Sequence, residues 1–213
     1  LASQGVEETN LKEHKKKDPD IDQKLCNYMC STFFGIRTFG AVMTTFVTSA
    51  LNFGQVRGPV QLGFAKRVYP IVPQEVTITR VAITTDADAE RKGTEMGRKH
   101  IVPYALYRAE GYISANLAEK VTGFNEADLE LLWEALINMY EHDHSAARGK
   151  MAMRELIVLR HHSKLGNVPA HKLFERVHVA RRENVVFPRA YTDYEVLVDE
   201  NNWPGSVQLK RMI

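Results

Sequence analysis

Two stretches of helical apolar spacing stand far apart in this chain, with a glycine-punctuated run of strand-like segments between them. That change of period, from helix to strand and back, constrains the fold more than any other feature. In the first stretch Ile21, Leu25, Tyr28, Met29, Thr32 and Phe33 share one helical face; Asp18 and Pro19 suit its N-cap and N1 positions, and Gly35 marks its end. In the second, Asn125 opens a stripe of Leu129, Leu132, Trp133, Leu136, Ile137 and Tyr140. Glu126 and Asp128 lie in its first turn, where the helix dipole favours acids.

Between the stripes, Gly35 to about Asn52 shows no helical period. Val60, Leu62, Phe64 and Val68 alternate with small or polar residues, and Val76–Thr85 (VTITRVAITT) is rich in β-branched residues; both read as strands. Asp86–Lys99 reads as a charged loop, and Tyr104–Ser114 (YALYRAEGYIS) as a third strand with Gly111 suited to a bulge. After the second helix come a short helix or turn at Ser145–Met153 and a strand at Leu156–Arg160. A helical turn at Ala170–Glu175 and strands at Val177–Ala180, Glu195–Val198 and Val207–Lys210 complete the chain. The order predicts an α+β fold, an antiparallel sheet with helices on one face. With one strand supplied ahead of Asp18 it becomes a ferredoxin-like βαββαβ core carrying a large insertion. The chain starts at Leu1, which suggests that this first strand is missing. Residues 1–17 are polar, with Lys15, Lys16 and Lys17 in a row, and read as a tether ahead of a single domain at 18–213.

Charge is distributed unevenly. Gly35–Arg80 holds Arg37, Arg57, Lys66, Arg67 and Arg80 against Glu75 alone, a net +4, whereas Glu119–Asp143 is −6. Phe39, Phe46, Phe53 and Tyr69 lie among those cations. Cations on phosphate and flat side chains on bases are what hold a single-stranded nucleic acid. Arg37-Thr38-Phe39-Gly40 and Gln55-Val56-Arg57-Gly58 each set a cation beside a glycine, where main chain can approach a ligand closely. The plainer reading is a solvated surface with aromatics in ordinary packing.

Catalytic and metal readings fare less well. Cys26 and Cys30, four apart, read as half-buried core thiols in a reducing compartment. Glu141-His142-Asp143-His144 lacks a third ligand at metal spacing, and histidines at a helix C-terminus suit the dipole. Arg98-Lys99-His100 admits a ribonuclease reading, with His100 as general base and Lys99 stabilising the phosphorane, but phosphate binding needs the same residue types. No nucleophile elbow, Walker loop or dinucleotide fingerprint occurs, and no apolar run of about 18 residues argues for a membrane span. No enzyme, cofactor or metal is expected.

Six segments in order carry a resemblance: IRTFGAVMTT (36–45), GQVRGPVQ (54–61), PIVPQEVTITR (70–80), MGRKHIVPYALYRAEGYISANLAEK (96–120), DLELLWEALINMYEHDHSAARG (128–149) and SKLGNVPAHKLFE (163–175). They closely resemble the repeating backbone subunit of the type I-C CRISPR Cascade surveillance complex, of the RAMP superfamily. The resemblance implies an RRM-like core with inserted thumb and finger strands at about 41–100. It implies no catalysis, and copies of the subunit stacking along guide RNA in the cytoplasm. Its partners would be guide RNA, target DNA through the guide, further copies of the chain and other Cascade subunits, with no membrane. The RNA-contacting positions it implies are Arg37, Phe39, Gly40, Met43, Gln55, Arg57 and Gln61, with Arg98, Lys99 and His100 in a second stretch; Lys66 joins them from the charge distribution. The alternatives are a RAMP-type endoribonuclease that trims guide precursors and an acidic-helix scaffold binding only proteins.

Overall fold

The computed structural model describes residues 20–42, 55–80, 95–145 and 149–213. The expected N-terminal tether, Asp18, Pro19 and Met43 lie outside them, as do residues 81–85 of the expected second strand. Helix α1 is Ile21–Thr32, burying Ile21, Leu25 and Cys30. It stops earlier than expected, because Phe33 is extended; its amide makes the last i→i−4 bond, to the Met29 carbonyl. A second short helix, α2 (Phe34–Phe39), follows where no helical period was legible. Gly40 ends it at φ +81°, a conformation open to glycine at little cost.

Two hairpins leave this corner. The first pairs β1 (Gly40–Val42) with β2 (Gln55–Arg57). The second is a long arm built from three antiparallel ladders in succession. Strand β3 (Val60–Leu62) pairs with β8 (Gly111–Ile113), β4 (Lys66–Arg67) with β7 (Tyr107–Arg108), and β5 (Gln74–Arg80) with β6 (Glu95–Ile101). The stretch read as a charged loop thus contributes β6, which is held by a seven-residue antiparallel register with β5 rather than by an apolar face of its own. Going outward, the strand that leaves the body carries one residue more than the returning strand at each break. Gly63–Ala65 lies opposite residues 109–110, and residues 68–73 lie opposite 102–106. These are bulges, and they fall on the outgoing strand rather than at Gly111.

Ser114 starts a short helix, α3 (Ala115–Leu117), by accepting the Leu117 amide, and the chain runs on through a π-turn, Ala118–Thr122, to Gly123. Helix α4 (Glu126–Asn138) has the expected start. Asn125 accepts the amides of Ala127 and Asp128, and Asp128 accepts the Asn125 amide, a full capping box. Its Leu132 packs with Val60, Ala118 and Phe124 in the main core, flanked by Phe34, Leu129, Trp133 and Leu136. A smaller cluster joins Cys30 and Val56 to Cys26, Met29, Ile36 and Ala41. Burial raises both thiol pKa values, so these cysteines are core groups.

The C-terminal part is two hairpins, one nested in the other. Strand β9 (Ile157–His161) pairs with β12 (Val207–Arg211), and β10 (Val177–Arg181), which follows helix α5 (Ala170–Phe174), pairs with β11 (Tyr194–Val198). The fold is α+β, as expected. Among the described residues, however, the strands form six separate two-stranded ladders rather than one sheet. Each strand finds its partner through a hairpin and leaves its other edge without a ladder.

Candidate nucleic-acid interface

The two glycines singled out beside arginines do not open the backbone toward a ligand. They let two backbone segments cross. A Cβ on Gly58 would stand 2.2 Å from the Phe39 carbonyl carbon and 2.3 Å from the Gly40 nitrogen; one on Gly40 would stand 2.2 Å from the Val56 carbonyl oxygen. Thr38, Pro59 and Val60 are buried around this crossing. It fixes where both hairpins leave the body.

Arg37 turns inward. Its Nη2 and Nε donate to Asp128 at 2.6 and 2.8 Å, and its Nη1 donates to the Cys30 and Ser31 carbonyls at 2.8 and 3.1 Å. The guanidinium also lies 5.9 Å from the centroid of the Phe34 ring. One side chain therefore ties the C-terminal end of α1 to the capped N-terminus of α4. The Arg37 guanidinium holds the Asp128 carboxyl below the usual carboxylate range; burial opposes this and the Asn125 amide adds to it. The charge attributed to a ligand-facing surface is neutralised by the acidic helix, whose partner residue is far away in sequence.

Phe39, Gly40, Gln55, Arg57 and Gln61 are brought together around the crossing. Gly40 lies opposite Arg57 in the first hairpin. Val56 points into the core, so strand alternation turns Gln55 and Arg57 to solvent on the same face. Phe39 is half exposed, and Gln61 donates to the Gly58 carbonyl at 3.2 Å while remaining accessible. Among the described residues no carboxylate pairs with Arg57.

The remaining positions lie along the arm. Lys66 is exposed on β4 beside Arg67. On the outer ladder Lys99 faces Val76, while Arg98 faces Thr77 and His100 faces Glu75. Neighbouring residues of a strand point to opposite faces, so Lys99 is separated from Arg98 and His100 by the thickness of the ribbon. Arg98 also meets Glu75 at 3.2 Å in an exposed pair, a geometry that contributes little energy. Every residue of β5 is exposed, with Ile78 half exposed.

The alternating pattern reads Phe64 as part of a strand with Val60 and Leu62. It stands instead in the first bulge, between β3 and β4, and is 96% exposed, on an arm where Leu62 is already 56% exposed. Arg108, across from Lys66, is committed inward, donating to the Val177 and Phe174 carbonyls and meeting Glu110 at 2.9 Å. Tyr112 contacts the Phe174 ring edge-on, and Arg181 lies over the Tyr69 ring, so the arm's root is held against α5 and β10. Register alone reveals these roles, because the extra residue is seen only when both strands are counted.

Among the described residues no cluster of His, Cys, Asp and Glu is placed to hold a metal, and no helix is long and apolar enough to cross a membrane. The model of the family described as CRISPR-associated protein Cas7 matches residues 3–199. No curated protein matches the chain.

Proposed function

The chain belongs to the CRISPR-associated Cas7 family, and on that premise we propose that it is a non-catalytic, guide-RNA-binding backbone subunit of a type I-C surveillance complex. Several copies stack along one guide in the cytoplasm beside the other Cascade subunits. The protein holds sugar and phosphate, and the bases stay available to pair with target DNA, a division of labour general to guided recognition.

The observation that carries this reading is a set of exposed cations on the two hairpins with no carboxylate partner among the described residues: Arg57 at the root, Lys66 and Arg67 farther out. The exposed amides of Gln55 and Gln61 accompany Arg57 and suit sugar and phosphate oxygens. Against a ribonuclease reading stands the alternation of β6, which sets Lys99 and His100 on opposite faces, whereas a base and an oxyanion stabiliser must converge on one phosphate.

Anisotropy titration of the full chain with labelled single-stranded RNAs of unrelated sequence tests the reading. Affinity should be similar for all of them, with log K falling against log salt by about 0.7 for each phosphate contacted. A slope near zero rules these phosphate contacts out. Incubation with repeat RNA, with and without chelator, should leave the RNA intact. Metal-independent cleavage abolished by His100→Ala would establish the endoribonuclease instead.

A further inference from the structure

Away from the arm, the connection between β10 and β11 holds two large apolar side chains in water: Val186 is 65% exposed and Phe187 75%. The backbone that carries them is tied down on both sides. Arg181 donates to the Val185 and Val186 carbonyls while its guanidinium lies 4.8 Å from the centroid of the Tyr69 ring. Asp193 accepts the amides of Arg189 and Ala190 at 2.7 and 2.9 Å, and the Arg182 Nε donates to the Thr192 carbonyl at 3.0 Å. These bonds all end on main chain and leave Val186 and Phe187 uncovered. A loop already fixed in place loses little freedom when a partner covers it, so the apolar pair is preorganised for contact. Exposed Arg182 and Arg189 flank it, with Glu183 as the one acid of the loop.

The outer face of α4 carries the opposite combination. Helical spacing sets Ala127, Leu131 and Ala135 in one exposed row that ends at Met139, with Leu131 49% and Met139 43% exposed. Beside it runs a row of acids, Glu126, Glu130 and Glu134, whose like charges four residues apart repel one another. Glu126 meets Arg160 at 3.7 Å in an exposed pair. Glu130 and Glu134 meet no cation among the described residues. One surface is therefore apolar with cations at its border, and the other is apolar with acids at its border. Both stay exposed, so neither covers the other within one chain. A second copy offers both.

We propose that Val186 and Phe187 of one copy dock on the row of Leu131, Ala135 and Met139 of the next, with Arg182 and Arg189 set against Glu130 and Glu134. The two surfaces differ, so the contact is heterologous: each copy uses one and offers the other, and association does not stop at a pair. With two large side chains at its centre the patch is small, so a single contact is weak and gains from repetition. The contact deepens the reading of stacked copies above, on which its use along a guide rests. It adds an attraction that the protein makes without RNA.

Sedimentation velocity of the full chain without RNA, over a concentration series, tests it. Mass should rise past the dimer and fall back with added salt. Phe187→Ser should weaken association by about 30-fold, with unfolding and affinity for a short single-stranded RNA that admits one copy unchanged. Glu130→Arg combined with Glu134→Arg should weaken it too, as should Arg189→Glu, which leaves the tying side chains in place. Mixing these two charge-reversed proteins should restore association, because each then meets opposite charge on the other. Wild type that stays monomeric, association that stops at the dimer, Phe187→Ser that associates like wild type, or a mixture no better than its parts overturns the contact while the RNA-binding reading stands. Loss of affinity for the short strand with Phe187→Ser overturns it in favour of an RNA contact at the loop. Wild type that associates as described but binds no RNA supports the contact and removes the RNA-binding reading.

Discussion

The root of the arm and the arm itself use the same residue types to opposite ends. Val60, where the outgoing strand begins, is 2% exposed; Phe64, four residues later, is 96% exposed. At the root Gly58 exists because main chain passes within contact distance, whereas a Cβ on Gly97, in the outer ladder, would meet nothing within 4 Å. Arg37 is locked between two helices, and Arg57 faces solvent. An isolated two-stranded ribbon is marginally stable in water, so the outer arm relies on its tie to the body and on whatever covers it. Residue type and local motif do not separate these roles; the distance from the crossing does.

The sharpest way to break this contrast is Gly58→Ala. The added carbon meets main-chain atoms that cannot swing aside, so a loss of about 4 kcal/mol or more is expected in thermal or denaturant unfolding. A variant of near wild-type stability would mean the crossing is looser than described.

Asp128→Ala comes next. Removing one partner of a buried pair leaves Arg37 uncompensated and opens the capping box, with an expected cost of about 3 kcal/mol at neutral pH. Acid titration sharpens the point. Because the folded state depresses the Asp128 pKa, its contribution is present above about pH 4, the ordinary carboxylate value, and is lost as pH falls through the lower folded value. The stability gap between wild type and Asp128→Ala should therefore narrow on acidification. A gap unchanged into strong acid would assign the cost to packing instead of charge.

A smaller effect separates the two arginines. Arg57→Ala should lower the salt slope of RNA binding by about 0.7 and leave unfolding within about 0.5 kcal/mol of wild type. Arg37→Ala should do the reverse, costing stability first. If both variants lose RNA affinity without losing stability, Arg37 is a ligand-facing residue after all.

The smallest change is expected for Gly97→Ala, where a methyl enters open space across from Ile78. Stability should shift by no more than about 0.5 kcal/mol. A loss comparable to that of Gly58→Ala would show that the arm is packed as tightly as its root.

Helix α4 was legible because its signals are local. A cap, two acids in the first turn and an apolar stripe all lie within one segment, and the capping box forms as the residue order dictates. The C-terminal strands were legible for a similar reason, each being a short alternating run between turn residues. Helix α2 was not, because its six residues carry no period and its end depends on the positive φ of Gly40. The charged segment before His100 looked like a loop because alternation is weak when both faces of a ribbon are exposed.

Within the candidate interface, Gln55, Arg57 and Gln61 could be named from motif and charge alone. The partner of Arg37 could not, since Asp128 lies 91 residues away and only packing brings α1 and α4 together. Nor could the place of Phe64 in a bulge, which shows only when the outgoing strand is counted against the returning one. The residue order by itself determined the two long helices and which segments carry charge, because these arise from neighbours within a few positions. Only the tertiary structure decided which cations are neutralised and which aromatic stands free. Those outcomes depend on contacts between distant segments, and a one-residue shift in pairing turns a side chain from one face to the other.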